Sequence, residues 1–283
     1  MKLGQKIAIA YFRAYLALVA VLSKKAAARK AFALFCTPTH RTKKAFTPVF
    51  HKAEKLVVTV QGHPVNGFRW NKGGQPRVQV VHGFESASQN FETYITIFIE
   101  KGYEVLAFDA PAHGISGGSK ITLPLYIDML RTVYRQYGPV QLFLAHSFGG
   151  LALVHFLETL PPADSFRLAL VAPATETVTA INQFFDLLRP DKQVRKEFYR
   201  IIEDAGELPP SHFSISRAMA HIKMPVLWVH DRDDTTTPLT DVQPVIDKQY
   251  PNVRFFITNG LGHRRIYRDR SVVDAITKFL SKV

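Results

Sequence analysis

Residues 140–151 read Val-Gln-Leu-Phe-Leu-Ala-His-Ser-Phe-Gly-Gly-Leu, and the rest of the chain takes its place around them. Val140 to Ala145 are short, apolar-rich and led in by the breaker pair Gly138-Pro139, the pattern of a buried strand. From Phe148 a helical period begins, with Leu151, Val154 and Leu157 on one face. Ser147 sits at the joint. Ala145 and Gly149 flank it two residues to either side, where a sharp strand-to-helix turn needs small side chains. Such a turn lifts the serine oxygen clear of the backbone and sets the amide of Phe148 beside it. The helix that follows points its first amides at the same spot, where negative charge is favoured.

Apolar runs recur on both sides of this joint. Lys55–Val60 and Val65–Trp70 read as two strands around the turn Gln61-Gly62-His63-Pro64. Strands follow at Arg77–Val81, Tyr103–Phe108, Phe166–Val171, Pro225–His230 and Val253–Thr258. Helical patterns lie between them at Asn90–Lys101, Pro124–Tyr137, Phe148–Leu160, Leu239–Gln249 and Ser271–Leu280. This alternation predicts an α/β fold with a mainly parallel central sheet flanked by helices. Ligands in such sheets bind beyond the carboxyl ends of the strands. His82, Asp109 and Ser147 all fall there.

From Thr175 to Ile222 the alternation stops. Val178–Leu188, Gln193–Asp204 and Phe213–His221 look helical, separated by Arg189-Pro190 and Leu208-Pro209-Pro210. A helical block at about 175–222 is long for a loop, so we expect a helical cap insertion. Its aromatics, Phe184, Phe185, Phe198, Tyr199 and Phe213, are expected mainly as packing residues.

The chain has 283 residues, 47% hydrophobic and 21% charged, with one cysteine, Cys36. That excludes an intrachain disulfide framework and a cysteine-rich metal site. The net charge of +13 is uneven: residues 1–55 hold twelve Lys or Arg and one acid, Glu54, leaving the remainder at +2. A nucleic-acid enzyme would carry its charge around the active cleft, so no nucleic-acid partner is expected. Ile7–Leu22 is an apolar, helix-forming run interrupted by Arg13 and flanked by Lys2, Lys6, Lys24, Lys25, Arg29 and Lys30. It is short for a span, and Arg13 interrupts the apolar core a signal peptide would need. An amphipathic helix touching its own domain or a membrane surface fits better. Residues 31–53, with Arg41, Lys43 and Lys44, read as an extended connector. The expected division is a basic, helical N-terminal segment with connector over 1–50 and a catalytic domain over 51–283. The expected location is cytoplasmic, with peripheral membrane contact through the basic segment as a candidate.

A serine hydroxyl becomes a nucleophile when a base takes its proton and an acid fixes that base. Strand ends supply these roles in the order Ser147, an aspartate among Asp231, Asp233 and Asp234, then His263. His263 lies in Gly260-Leu-Gly262-His263, where glycines let the backbone bend back over the sheet. His146 adjoins Ser147, but neighbours on a tight turn point different ways, so it is not taken as the base. Glu176 remains an outside candidate for the acid.

These landmarks resemble the α/β-hydrolase fold family, and more closely a bacterial branch of its esterase- and lipase-like members. Ala145-His-Ser147-Phe-Gly149 resembles the nucleophile elbow Gly-x-Ser-x-Gly, with Ala145 in the first glycine place. His230 to Pro238 resembles the family's His-Gly-x-x-Asp-x-x-x-Pro segment, which favours Asp234, with Asp233 next. His82-Gly83-Phe84 resembles the family's His-Gly-x loop, which implies the Phe84 amide as one oxyanion donor and the Phe148 amide as the other. Asp109 to Ser116 resembles its Asp-x-x-Gly-x-Gly-x-Ser loop, with Ala112 in the first glycine place, and is read as structural. The resemblance implies a serine hydrolase acting on carboxylic esters or thioesters of a small or acyl-chain substrate. It implies no cofactor, and no metal-ligand spacing or dinucleotide loop occurs in the chain. Acyl transfer or carbon–carbon bond hydrolysis on the same residues, and a non-catalytic binder on the same fold, remain the alternatives.

Overall fold

The computed structural model describes residues 3–42, 45–161, 166–206 and 208–281. Lys2, Lys43 and Lys44 of the basic segment lie outside the described residues. Among the described residues, eight strands form one sheet: β1 Glu54–Val60, β2 His63–Trp70, β3 Arg77–Val81, β4 Glu104–Phe108, β5 Leu142–His146, β6 Arg167–Val171, β7 Val226–Asp231 and β8 Val253–Thr258. The α-helices are α1 Leu3–Leu22, α2 Lys24–Phe35, α3 Pro48–His51, α4 Glu92–Glu100, α5 Leu123–Tyr137 and α6 Phe148–Leu157. They continue with α7 Thr177–Leu188, α8 Lys192–Gly206, α9 Ile215–Ala218, α10 Gln243–Asp247, α11 Gly262–Arg265 and α12 Arg270–Leu280.

The chain divides into two units. The larger comprises Pro38–Thr175 and Ile215–Val283 and contains the whole sheet. Strand order is β1-β2-β4-β3-β5-β6-β7-β8, antiparallel through β1, β2 and β4 and parallel from β4 to β8. Sequence and position agree. Every residue of β5 is buried, as a central parallel strand covered on both faces requires, whereas β1 alternates outward and inward as an antiparallel edge strand does. One face of the sheet packs on α5, α6, α9 and α10 through residues such as Leu130, Leu153, Ala218 and Val245. The other packs on α3, α4 and α12 through Phe50, Phe98 and Ile276.

The smaller unit comprises Met1–Thr37 and Glu176–Ser214. Its described helices are α1, α2, α7 and α8. Ala27, Ala28 and Ala31 give α2 a small-residue face, fully buried, that lets α8 approach. Phe185 and Phe198 fill the same core with Leu16, Ala20 and Ile181. Phe184, Phe185 and Phe198 therefore serve as packing residues. Arg13 Nε donates to the Leu187 carbonyl at 2.8 Å, and Lys24 pairs with Asp191 at 2.6 Å.

Three local expectations are corrected. The N-terminal region is two helices, separated where Ser23 caps α2 by accepting the Ala26 amide, and helix persists to Phe35 inside the expected connector. Phe50, also assigned there, is fully buried in the sheet's core. The helix expected over 213–221 shrinks to α9. The Ile215 amide is committed to the Thr175 carbonyl and Ser214 Oγ to Glu176, so the chain enters the turn late. The helix expected over 239–249 breaks into a 3₁₀ turn and α10, because Pro244 has no amide to continue the ladder.

Candidate active site

Ser147, Asp234 and His263, with the loops that hold them, belong to the larger unit. Ser147 follows the last residue of β5 with φ +54° and ψ −126°, a conformation costing about 1–3 kcal/mol for a residue with a side chain. Backbone hydrogen bonds to β6, to Gly150 in α6 and to the loop beyond β6 hold it there. Its amide donates to Val171 O at 3.1 Å, and its carbonyl accepts from Gly150 at 2.9 Å and Ala174 at 3.1 Å. The turn leaves little room. A Cβ on Gly149 would meet the His82 carbonyl oxygen well inside van der Waals contact, and one on Gly83 would lie 2.8 Å from Ser147 Cβ. Ala145 is tolerated in the family's first glycine place because it is an ordinary buried strand residue of β5. Gly149→Ala is expected to cost about 1–3 kcal/mol, since the obstacle is backbone and cannot rotate away. Urea denaturation measures this, and an unchanged midpoint would mean that the turn has slack.

His263 is reached from the opposite side. Gly260 and Gly262 take φ of +77° and +60°, turning the chain out of β8 into the single turn α11. His263 Nε2 lies 2.9 Å from Ser147 Oγ, and Nδ1 lies 2.7 Å from Asp234 Oδ2. Asp234 is nearly buried and accepts at both oxygens. Oδ1 takes the amides of Thr236 at 2.8 Å and Thr237 at 2.9 Å, and Oδ2 takes the Thr237 hydroxyl at 2.9 Å. Burial opposes its charge, yet the His263 hydrogen bond and charge, with the two threonine amides, hold the carboxyl below the usual aspartate range. An ionised Asp234 accepts the Nδ1 proton, which leaves Nε2 with a lone pair facing the serine hydroxyl.

The other acidic residues of the cluster do different work. Asp231 is fully buried. Its Oδ1 accepts from Gly262 N at 3.0 Å, and its Oδ2 from Leu261 N at 3.1 Å and Thr258 Oγ at 2.6 Å. It therefore clamps the two residues before His263. Burial opposes its charge too, but Thr258 and the amides keep the carboxyl below its ordinary range. Asp233 Oδ2 accepts from Gly260 N at 2.8 Å. Glu176, in the smaller unit, accepts from Ser214 Oγ at 2.8 Å. Sequence reasoning missed the Asp231 clamp, and also His230, whose buried Nε2 donates to the Thr237 carbonyl at 2.7 Å beneath the Asp234 turn. An aspartate in the family's glycine place was the available signal for Asp231.

His146 packs against His263, with ring centroids 4.8 Å apart, and its Nε2 donates to the His263 carbonyl at 3.1 Å. Tyr267 closes the same side at 4.7 Å from the His146 ring. Burial, and then the neighbouring His263, push the His146 pKa down to about 3. The structure thus commits His146 Nε2 to the His263 backbone, and it is His263 Nε2 that meets Ser147 Oγ.

Phe84 and Phe148 bring two aromatic rings together, 6.2 Å apart, beside Ser147. The Phe148 amide opens α6, where the first amides of a helix have no acceptor within it. The loop that carries Phe84 is fixed by imidazoles. His82 Nδ1 donates to Gly83 O at 2.8 Å, and its Nε2 accepts from Ala110 N at 2.9 Å. His113 Nδ1 donates to Pro111 O at 2.9 Å, and its Nε2 accepts from Glu85 N at 3.0 Å. Asp109 accepts from Ser88 N at 2.8 Å and Ile115 N at 3.0 Å, so the loop is held by its own acid. Ala112, in a glycine place, adopts φ +66°.

Both imidazoles must be neutral to accept those amides. Burial lowers the His82 pKa, and burial followed by the proximity of His82 pushes His113 down to about 3. A histidine depressed on folding binds its proton in the unfolded chain first. Its stabilising effect is therefore complete above the unfolded value near 6.5 and is lost as pH falls from there toward 3. We expect the urea midpoint to drop steadily from pH 7 to pH 4, and less steeply in His113→Gln. A flat profile across that range would contradict the buried neutral state.

No group of three or more potential metal ligands occurs among the described residues. Residues 74–208 match the family model Hydrolase_4, described as serine aminopeptidase, S33. Esterase Rv0045c of Mycobacterium tuberculosis is 30% identical over 109 residues, which cover 37% of this chain and 35% of that protein. The chain thus spans about a third of the length of the curated relative it matches. Among solved structures, the Pyrococcus furiosus esterase Pf2001 superposes with a TM-score of 0.64 at 19% identity, covering 87% of this chain and 98% of that one. Est1E of Butyrivibrio proteoclasticus, solved with ferulic acid bound, gives 0.62 at 19% identity, covering 80% and 97%.

Proposed function

We propose that this chain, which has the α/β-hydrolase fold, is a serine hydrolase that cleaves carboxylic esters or thioesters through an acyl-enzyme. One observation carries the proposal: the unbroken hydrogen-bonded line from Ser147 Oγ through His263 to Asp234, at 2.9 Å and 2.7 Å. The esterases it resembles in sequence and fold support the reaction class.

In this reading Ser147 Oγ attacks the acyl carbon as its proton passes to His263 Nε2. Asp234 keeps the Nδ1 proton in place and stabilises the imidazolium that forms. The carbonyl oxygen becomes an oxyanion between the amides of Phe84 and Phe148, where fixed donors need no reorganisation. His263 then protonates the leaving alcohol or thiol. Water then gives a proton to the same nitrogen as its oxygen bonds to the acyl carbon, and the bond to Ser147 Oγ breaks as His263 returns that proton to Oγ, freeing the acid. The paired rings of Phe84 and Phe148 favour a substrate with an apolar acyl group next to the scissile bond.

The test is turnover of p-nitrophenyl esters of graded chain length, with acyl thioesters in parallel. Release of stoichiometric acid and alcohol supports the proposal. Folded protein that turns over neither series would overturn it and favour a binding role on this fold.

A further inference from the structure

The two faces of α1 are used differently. Leu16 and Ala20 are buried, and Phe12, Tyr15 and Val19 pack on the same core with α2, α7 and α8. On the other side Leu3, Ile7, Tyr11, Leu18, Val21 and Leu22 are 63–87% exposed. At ~100° per residue Leu3, Ile7, Leu18 and Val21 share a strip ~60° wide, with Tyr11 and Leu22 at its border. The six side chains expose on the order of 800 Å², where the largest apolar patch of a typical monomer is about 300–600 Å². No charged residue lies on the strip. Lys6 flanks one end and the exposed Lys25, Arg29 and Lys30 the other, with Lys24 paired to Asp191, and neither α1 nor α2 holds an acid.

We infer that this face of α1 lies along an anionic lipid surface, with its apolar strip below the headgroups and the flanking lysines and arginines among them. Length and composition would also let α1 cross a membrane. Crossing would strip Leu16 and Ala20 from their core and break the bond from Arg13 to the Leu187 carbonyl. Lying flat keeps both. A second copy is a poorer occupant. Two α1 helices meeting on this strip would bring their basic ends together with no acid on either helix to offset them.

The experiment is flotation of the 283-residue chain with phosphatidylcholine vesicles, with and without phosphatidylglycerol. The protein is expected to float with the anionic vesicles and to stay behind with the neutral ones. Raising ionic strength from about 0.05 M to about 0.5 M should release most of it. Leu18→Glu/Val21→Glu should weaken binding at least tenfold, and Lys25→Glu/Arg29→Glu/Lys30→Glu by roughly fivefold for each charge removed. Far-UV circular dichroism and the thermal midpoint check that both variants fold. Flotation is read without turnover, so it fails or succeeds independently of the proposed hydrolysis. Three results would overturn the inference: no flotation, equal flotation on neutral vesicles, or a wild-type dimer in solution that Leu18→Glu/Val21→Glu converts to monomer.

Discussion

Ser147→Ala is expected to lower ester kcat by about 10⁶ while the protein remains folded. The substitution removes one oxygen from a residue whose backbone is held by Val171, Gly150 and Ala174, none of which depends on the hydroxyl. Alanine meets the same φ of +54° that serine already tolerates. The thermal midpoint should therefore move by only a few degrees for a change of about 1 kcal/mol. On the proposed mechanism, any turnover that survives would come from the amides of Phe84 and Phe148 and from substrate binding. Steady-state rates on p-nitrophenyl acetate, with circular dichroism on the same preparation, make the comparison. A variant that keeps most of the wild-type rate would place the chemistry at another residue.

Asp234→Asn is expected to lower kcat by about 10⁴ with KM nearly unchanged. An amide group can turn an NH₂ toward Nδ1, and the imidazole then carries its proton on Nε2, where it cannot accept from Ser147. The remaining amide oxygen can still take the Thr236 and Thr237 amides, so the turn survives. Asp233→Asn is the control. Its carboxylate accepts the Gly260 amide and makes no contact with the imidazole, so its effect should stay within about tenfold. Equal losses in both variants would contradict the assignment of the acid to Asp234.

The parts of the molecule legible in the sequence are those fixed by local physics. Val140 to Gly149 shows its buried strand, its small residues and its serine without reference to the rest of the chain. The spacing of Asp234 to Pro238 and the glycines before His263 sit on single turns. The structure brings these three side chains within hydrogen-bond distance although 116 residues separate Ser147 from His263. What stayed hidden depends on partners distant in sequence. The role of Asp231 is defined by amides 30 and 31 residues away, and an aspartate on a turn looks the same whether it is solvated or buried. Helices α2 and α8 each show an apolar face, but nothing in either period says that they face each other. The helix expected over 213–221 starts late because a single backbone amide is committed elsewhere, and the one over 239–249 is broken by Pro244, both able to outweigh a good helical period.

If His263 and Asp234 make Ser147 an activated nucleophile, covalent labelling of that serine follows. Purified protein would be treated with a fluorophosphonate probe and its peptides mapped. We predict one adduct, on Ser147, formed at least a hundredfold more slowly in His263→Ala. Folded protein with no adduct on Ser147, or labelling that proceeds equally fast without His263, would contradict it.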